Sequence, residues 1–227
     1  KEYQRYSIMG IKQTGDNMDQ FHEDLNFVNE FCQSSADSLY RCAVMVHGTI
    51  QQNTENLDRI TTQYDTQGFI DGDTLEWRMP YIQHFGENRH YYYNSMMTIL
   101  RSKKNVADRI LKLFLEADGL GLPKANFLAL LATGNKSFSC LDSNLLKWYG
   151  LDPKITDYNK KLKSEESKAN KRKQYLDVVS SMGGGRKLYK EWCIRVSDKS
   201  KKFKSGLQVS MKHRHWFTTW ENQYPTL

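Results

Sequence analysis

The chain has 227 residues, enough for one large domain or two small ones, and 39% of them are hydrophobic, which supports a packed core despite a mean hydropathy of −0.72. No apolar run approaches the roughly 18 residues that a membrane-spanning helix needs, and the N-terminus lacks the basic-then-apolar pattern of a signal peptide. The formal charge is +7, unevenly carried: residues 160–214 hold 17 Lys/Arg against 5 Asp/Glu while the remainder is slightly acidic, which suggests a polyanionic partner, nucleic acid first, or else a solvated charged face.

Residues 1–16 are polar and read as extended. Met18–Val46 has helical apolar spacing through Phe21, Leu25, Val28, Phe31, Leu39, Ala43 and Val46. Ser34-Ser35-Ala36-Asp37 is expected to divide it into two helices, with Ser35 or Asp37 as cap. Gln51–Thr74 is polar and carries turn signals at Gly68 and Asp71-Gly72-Asp73, so it reads as loop-rich with room for one helix. Leu75–Phe85 contains Trp77, Tyr81 and Phe85, with Pro80 suited to a first helical turn. His90–Ser102 is a further helix that opens on Tyr91-Tyr92-Tyr93.

Val106–Ala117 places Val106, Ile110, Leu113 and Phe114 on one helical face, with Asn105 as its expected cap. Asp118–Pro123 is a hairpin, and the helix after it runs to about Thr133, where Gly134 ends it. Ser143–Trp148 forms a short helix stopped by Gly150. Thr156–Val179 reads as one long charged helix, in which Glu165 and Glu166 pair with Lys161 and with Lys168 or Lys163. Gly183-Gly184-Gly185 breaks the chain before a helix over Arg186–Val196 that turns Leu188, Trp192 and Val196 inward. Leu207–Trp220 is aromatic and basic, with His213, His215, Trp216 and Trp220. Few runs alternate with period two and no repeat is present, so the expected class is all-α.

Four cysteines, Cys32, Cys42, Cys140 and Cys193, have the spacing of neither a zinc site nor a disulfide framework. They read as buried free thiols of a reducing compartment, hence a cytoplasmic protein.

Two features combine a binding device with a reactive group. Gly119-Leu120-Gly121 lies between two amphipathic helices, where glycines allow a tight turn and leave backbone N–H groups outward beside a helix N-terminus. It is either a phosphate site plugged by Leu120 or an ordinary helix–turn–helix connection. Asp142 follows as a lone carboxylate, able to act on a sugar or base or simply to cap the helix at Ser143. Tyr91, Tyr92 and Tyr93, with Trp148 and Tyr149, offer faces on which an extruded base can stack, or else core packing. His213-Arg214-His215-Trp216 offers the same choice between nucleic-acid contact and structure.

Gly119-Leu120-Gly121-Leu122-Pro123-Lys124-Ala125-Asn126, followed by Cys140-Leu141-Asp142-Ser143-Asn144, resembles the signature of the helix-hairpin-helix DNA glycosylase superfamily over residues 90–152. Beyond it, Gly183–Gly185, Trp192-Cys193 and Val209–His213 resemble phage proteins that share this core, some of them linked to thymine hypermodification. The resemblance implies a helical bundle in three parts: 1–89, helical and loop-rich; 90–152, the helix-hairpin-helix core; and 153–227, a basic helical region packed on it. It implies duplex DNA as partner, a flipped nucleotide as substrate, and either N-glycosidic cleavage or base modification as reaction. A non-catalytic DNA-binding or virion structural protein that keeps the fold is the alternative. Asp142 would stabilise the developing oxocarbenium charge, and Lys124 would act as a Schiff-base amine or a phosphate contact. Counted from Gly121, Pro123 stands where the family's lysine usually sits; counted back from Asp142, Lys124 fits. Asn144 stands where the family often has His. Gly119, Leu120, Gly121, Lys124, Asn144, Lys147, Lys171, Arg172 and Lys173 are the expected DNA contacts, with Tyr91, Tyr92 and Trp148 lining the base pocket. With no C-terminal cysteine cluster, no iron–sulfur group or other cofactor and no metal is implied.

Overall fold

The computed structural model describes residues 18–48, 78–158, 162, 164–199 and 203–223, and no strand occurs among them. The chain is all-α, and the readings of residues 1–16 and 51–74 lie outside the described residues. Helix α1 (Met18–Ser34) and α2 (Ala36–Gly48) part at Ser35, whose Oγ accepts the Ser38 N–H at 3.0 Å. Asp37 is not the cap: it pairs with Arg89 at 2.5 Å. Helix α3 (Met79–Glu87) has Pro80 in its first turn, and α4 (Arg89–Ser102) follows after Asn88.

Helix α5 (Val106–Leu115) corrects one expectation. Asn105 precedes it in a left-handed conformation, φ 46°, and makes no side-chain cap, as Lys103 and Asn105 both turn left-handed to reverse the chain from α4. Arg109 fastens that reversal instead, donating to Ser102 Oγ at 2.6 Å. Helix α6 (Leu122–Thr133) ends at Gly134, φ 63°, whose N–H returns to the Leu130 carbonyl at 2.8 Å. Every residue from Ala125 to Ala132 is buried, so α6 is apolar all round rather than amphipathic. Its last carbonyls are satisfied from α1: Asn29 Nδ2 donates to Leu130 and Leu131, and Gln33 Nε2 to Ala132.

Helix α7 (Ser143–Trp148) stops before Gly150, φ 63°. The long helix begins later than its charge pattern suggests. Pro153–Thr156 forms a 3₁₀ turn capped by Asp152, and α8 runs Glu165–Ser181 with Ser164 Oγ accepting the Ser167 N–H. Helices α9 (Gly185–Lys199) and α10 (Gly206–Gln223) complete the described residues.

Helix α6 is the axle, touched by α1, α2 and α5, while α10 packs across α1 and α9, and α8 packs on α5. One apolar cluster runs from Phe21 to Phe217 and draws on all three expected segments. Arg41 joins α2 to α10 inside it: its guanidinium donates to the Trp216 carbonyl at 2.6 and 3.0 Å. All four cysteines are buried free thiols. No helix among the described residues is long and apolar enough to cross a membrane.

Candidate functional site

The hairpin forms because α5 ends where Gly119 can take φ 79° and bring Leu120 back into the core. The Leu120 N–H closes the turn on the Ala117 carbonyl at 3.3 Å, and the Lys124 and Ala125 N–H groups return to the Gly121 carbonyl. The N–H groups of Gly119 and Gly121 have no acceptor among the described residues. On its inner side Gly119 lies against Tyr81 of α3, so close that an added Cβ would sit 2.7 Å from the ring. Gly121 faces open space, with nothing within 4 Å of an added Cβ. The tip therefore presents unpaired donors and no side chain at the positive end of α6.

Asp142 is both a cap and something more. Its Oδ1 accepts the Asn144 and Leu145 N–H groups, each at 3.0 Å, which anchors α7. Its Oδ2 accepts the Trp192 indole N–H at 3.1 Å, across from α9. The Trp192 ring packs on Phe127 at 5.4 Å between centroids and stacks on His213 at 5.6 Å. Phe127 is also the ring under the Lys124 ammonium, 5.6 Å from its centroid. One continuous path of contacts thus joins the first turn of α6 to the carboxylate: Lys124, Phe127, Trp192, Asp142.

The charge of Lys124 is felt by three buried groups around this path. Burial, then Arg78 and Lys124, hold His47 down to about 4. Burial, then Lys124, hold His213 down to about 4. Burial pushes the Cys140 thiol up to about 12, with Lys124 lowering it and Asp142 raising it. Both imidazoles are consequently neutral near pH 7. Among the described residues neither His47 ring nitrogen has a hydrogen-bond partner, and neither does His213 Nε2. Arg78 is buried beside His47 and donates to its carbonyl at 2.7 Å.

The remaining expected contacts divide. Asn144, Lys147 and Trp148 of α7 are exposed. Lys199 donates to Asn144 Oδ1 at 2.8 Å, and the Arg195 guanidinium lies over the Trp148 ring, so α9 adds two cations to this face. Tyr91 is exposed and donates to Glu116, whereas Tyr92 belongs to the core, stacked on Phe85 at 4.5 Å, and is withdrawn from the surface expected of a base pocket. Lys173 is exposed, and Lys171 donates to the Lys154 carbonyl. Arg172 is withdrawn from the expected set: it is buried and clasps Asp108 and Glu165. Glu165 pairs with Lys112 and Arg172; Lys161 and Lys163 lie outside the described residues. A shallow hollow of about 450 Å³ runs along α8 beside Lys173 and Asp177 and contains none of the Asp142 group.

Sequence reading missed Phe127 and His47 and took Trp192 only as an inward residue. None carries a local signal, because each is ordinary for a helix face and meets its partners across long separations. Among the described residues no three His, Cys, Asp or Glu side chains converge to hold a metal ion. Comparison with family models, curated proteins and solved structures yields no match to this chain.

Proposed function

We propose that this chain acts on DNA in the manner of a helix-hairpin-helix glycosylase, docking duplex DNA on its hairpin and receiving a base swung out of the helix. The supporting observation is the contact path itself: α6 starts at a donor-rich tip, and its first turns lead through Lys124, Phe127 and Trp192 to Asp142. Gly119 and Gly121 offer N–H groups to a backbone phosphate, and Lys147, Lys171 and Lys173 add sequence-blind phosphate contacts. Trp148, covered by Arg195, supplies an exposed stacking face. Asp142 stabilises positive charge developing on a deoxyribose, with Trp192 fixing its orientation. Lys124 serves as nucleophile or phosphate contact. Base excision and base modification share this apparatus, since both require extrusion into a pocket.

One observation favours the non-catalytic alternative. Both oxygens of Asp142 already accept hydrogen bonds from the chain's own N–H groups, so a purely structural cap accounts for them.

Fluorescence anisotropy with a duplex oligonucleotide at stepped salt tests the docking. Gly121→Glu is a clean perturbation, since φ is −80° and the space is open. It sets a carboxylate against the phosphate and is expected to weaken binding about tenfold, roughly 1.4 kcal/mol. Wild-type affinity in that variant removes the hairpin from the interface. Asp142→Asn keeps the cap but not the charge: loss of base release or modification with binding intact supports the enzyme, and equality with wild type on every modified base screened supports the non-catalytic form. Borohydride trapping on the same duplexes reports covalent chemistry at Lys124.

A further inference from the structure

Among the described residues Trp148 is the most exposed large apolar side chain, at 57%, although tryptophan is ordinarily well buried. Helical spacing puts it there. Asn144, Lys147 and Trp148 stand at i, i+3 and i+4 on α7 and share one exposed stripe, opposite the buried Leu145 and Leu146. Helix α9 lines the same face. Its Arg195 guanidinium lies over the Trp148 ring, and Lys199, one turn further on, donates to Asn144 Oδ1 at 2.8 Å. The first contact covers one face of the indole and leaves the other to solvent. The second occupies the acceptor of Asn144, whose side-chain amide then has only N–H groups to offer.

The charges of this face are unequal in their commitments. The Lys147 ammonium makes no hydrogen bond or ion pair among the described residues. The acids nearby are engaged: Asp142 accepts on both oxygens, Glu191 accepts from Tyr149 and lies 3.9 Å from Lys187, and Asp198 lies 3.5 Å from Arg195. The chain leaves α7 through Gly150, where an added Cβ would meet nothing within 4 Å, so this end of the stripe is open. A free aromatic face set among cations and N–H donors fits a ligand that is flat in one part and anionic in another. An acidic peptide satisfies the cations and leaves the indole idle. A duplex satisfies the cations but keeps its base faces against one another. An unpaired nucleotide strand uses both.

We propose that the α7–α9 face binds an unpaired nucleic-acid strand, with one base stacked on the open face of Trp148 and the phosphates on either side of it taken by Lys147 and Lys199. This goes beyond the reading above, in which Trp148 receives a base swung out of a duplex docked on the hairpin. Here the strand is already single, and its binding needs no contact at Gly119–Gly121.

The test is fluorescence anisotropy of the full chain with a short labelled oligothymidylate. Its oligouridylate counterpart compares DNA with RNA, and binding of either supports the proposal. A tetrahydrofuran abasic strand of equal length reads the phosphates alone. Oligothymidylate is expected to bind about tenfold more tightly than the abasic strand, with Trp148→Ala removing that difference and Trp148→Phe restoring most of it. Lys147→Met and Lys199→Met should each lower the salt slope by about 0.7, the single-strand value per cation. Equal affinity for the two strands, or wild-type affinity in Trp148→Ala, means that the face binds charge alone and overturns the proposal. Polyglutamate that competes as well as oligothymidylate makes an acidic protein the partner and overturns it too. Gly121→Glu separates this result from duplex docking. If duplex binds and depends on Gly121 while oligothymidylate does not bind, the α7–α9 proposal falls and the duplex reading stands. If oligothymidylate binds through Trp148 while duplex does not bind, the duplex reading falls and this face stands.

Discussion

Arg172→Met is expected to weaken the fold while leaving DNA affinity untouched, the reverse of what its place in a basic helix suggests. The side chain is 3% exposed; Nε and Nη2 reach Asp108 at 2.6 and 3.2 Å, and Nη1 reaches Glu165 and Tyr158, each at 3.2 Å. Its acidic partners are 43% and 55% exposed, so both return to water when the guanidinium is removed, and methionine refills most of the space left by the stem. The cost is therefore well below the 3–5 kcal/mol of a fully buried pair broken from one side, at about 1–2 kcal/mol. Asp108→Ala is the harsher change, about 2–3 kcal/mol, because it strands part of a guanidinium that cannot reach water. Urea denaturation at constant m reads these values. The slope of log affinity against log salt, measured in parallel, reads phosphate contacts at about 0.9 per cation. Arg172→Met should leave that slope unchanged, and Lys173→Met should lower it by about 0.9. A slope that falls by about one in Arg172→Met with stability unaltered would mean that the guanidinium leaves Asp108 for a phosphate, and the argument from burial would be refuted.

Stability should also depend on pH through His47 and His213, both held at about 4 when folded against 6.5 for the ordinary side chain. The unfolded chain binds these protons first, so the contribution is complete above 6.5 and lost as pH falls toward 4, at about 1.4 kcal/mol per unit per histidine. Urea midpoints that stay flat between pH 6.5 and 4.5 would contradict the burial of both rings. Gly185→Ala should prevent stable folding, since its Cβ would fall on the Phe138 carbonyl oxygen and disturb the 2.7 Å bond from the Gly185 N–H to Lys136. A thermal transition within a few degrees of wild type would show that α9 can shift on its seat.

Much of the helical plan was legible from side chains close in sequence. Ser35 between α1 and α2, Pro80 and Pro123 in first turns, and Gly134 and Gly150 as stops all act within one helical turn of where they stand. The hairpin at Gly119–Gly121 and Asp142 as the cap of α7 were legible for the same reason. Asn105 and the start of α8 were not, because a reversal of the chain and a proline-led 3₁₀ turn displaced the local preference.

The buried polar pairings of the fold were settled at longer range. Trp192 meets Asp142 across 50 positions, Arg172 meets Asp108 across 64, and Ser210 meets Asp24 across 186. Nothing in a window of charges distinguishes Arg172 from Lys171 or Lys173 on either side, although α8 turns only the first of these into its contact with α5. Local sequence determined which segments coil and where they end, because capping and backbone conformation depend on atoms a turn away. Only the tertiary structure decided which polar groups are paired, buried or left bare, since desolvation and hydrogen bonding depend on whatever the packed helices bring to the same point.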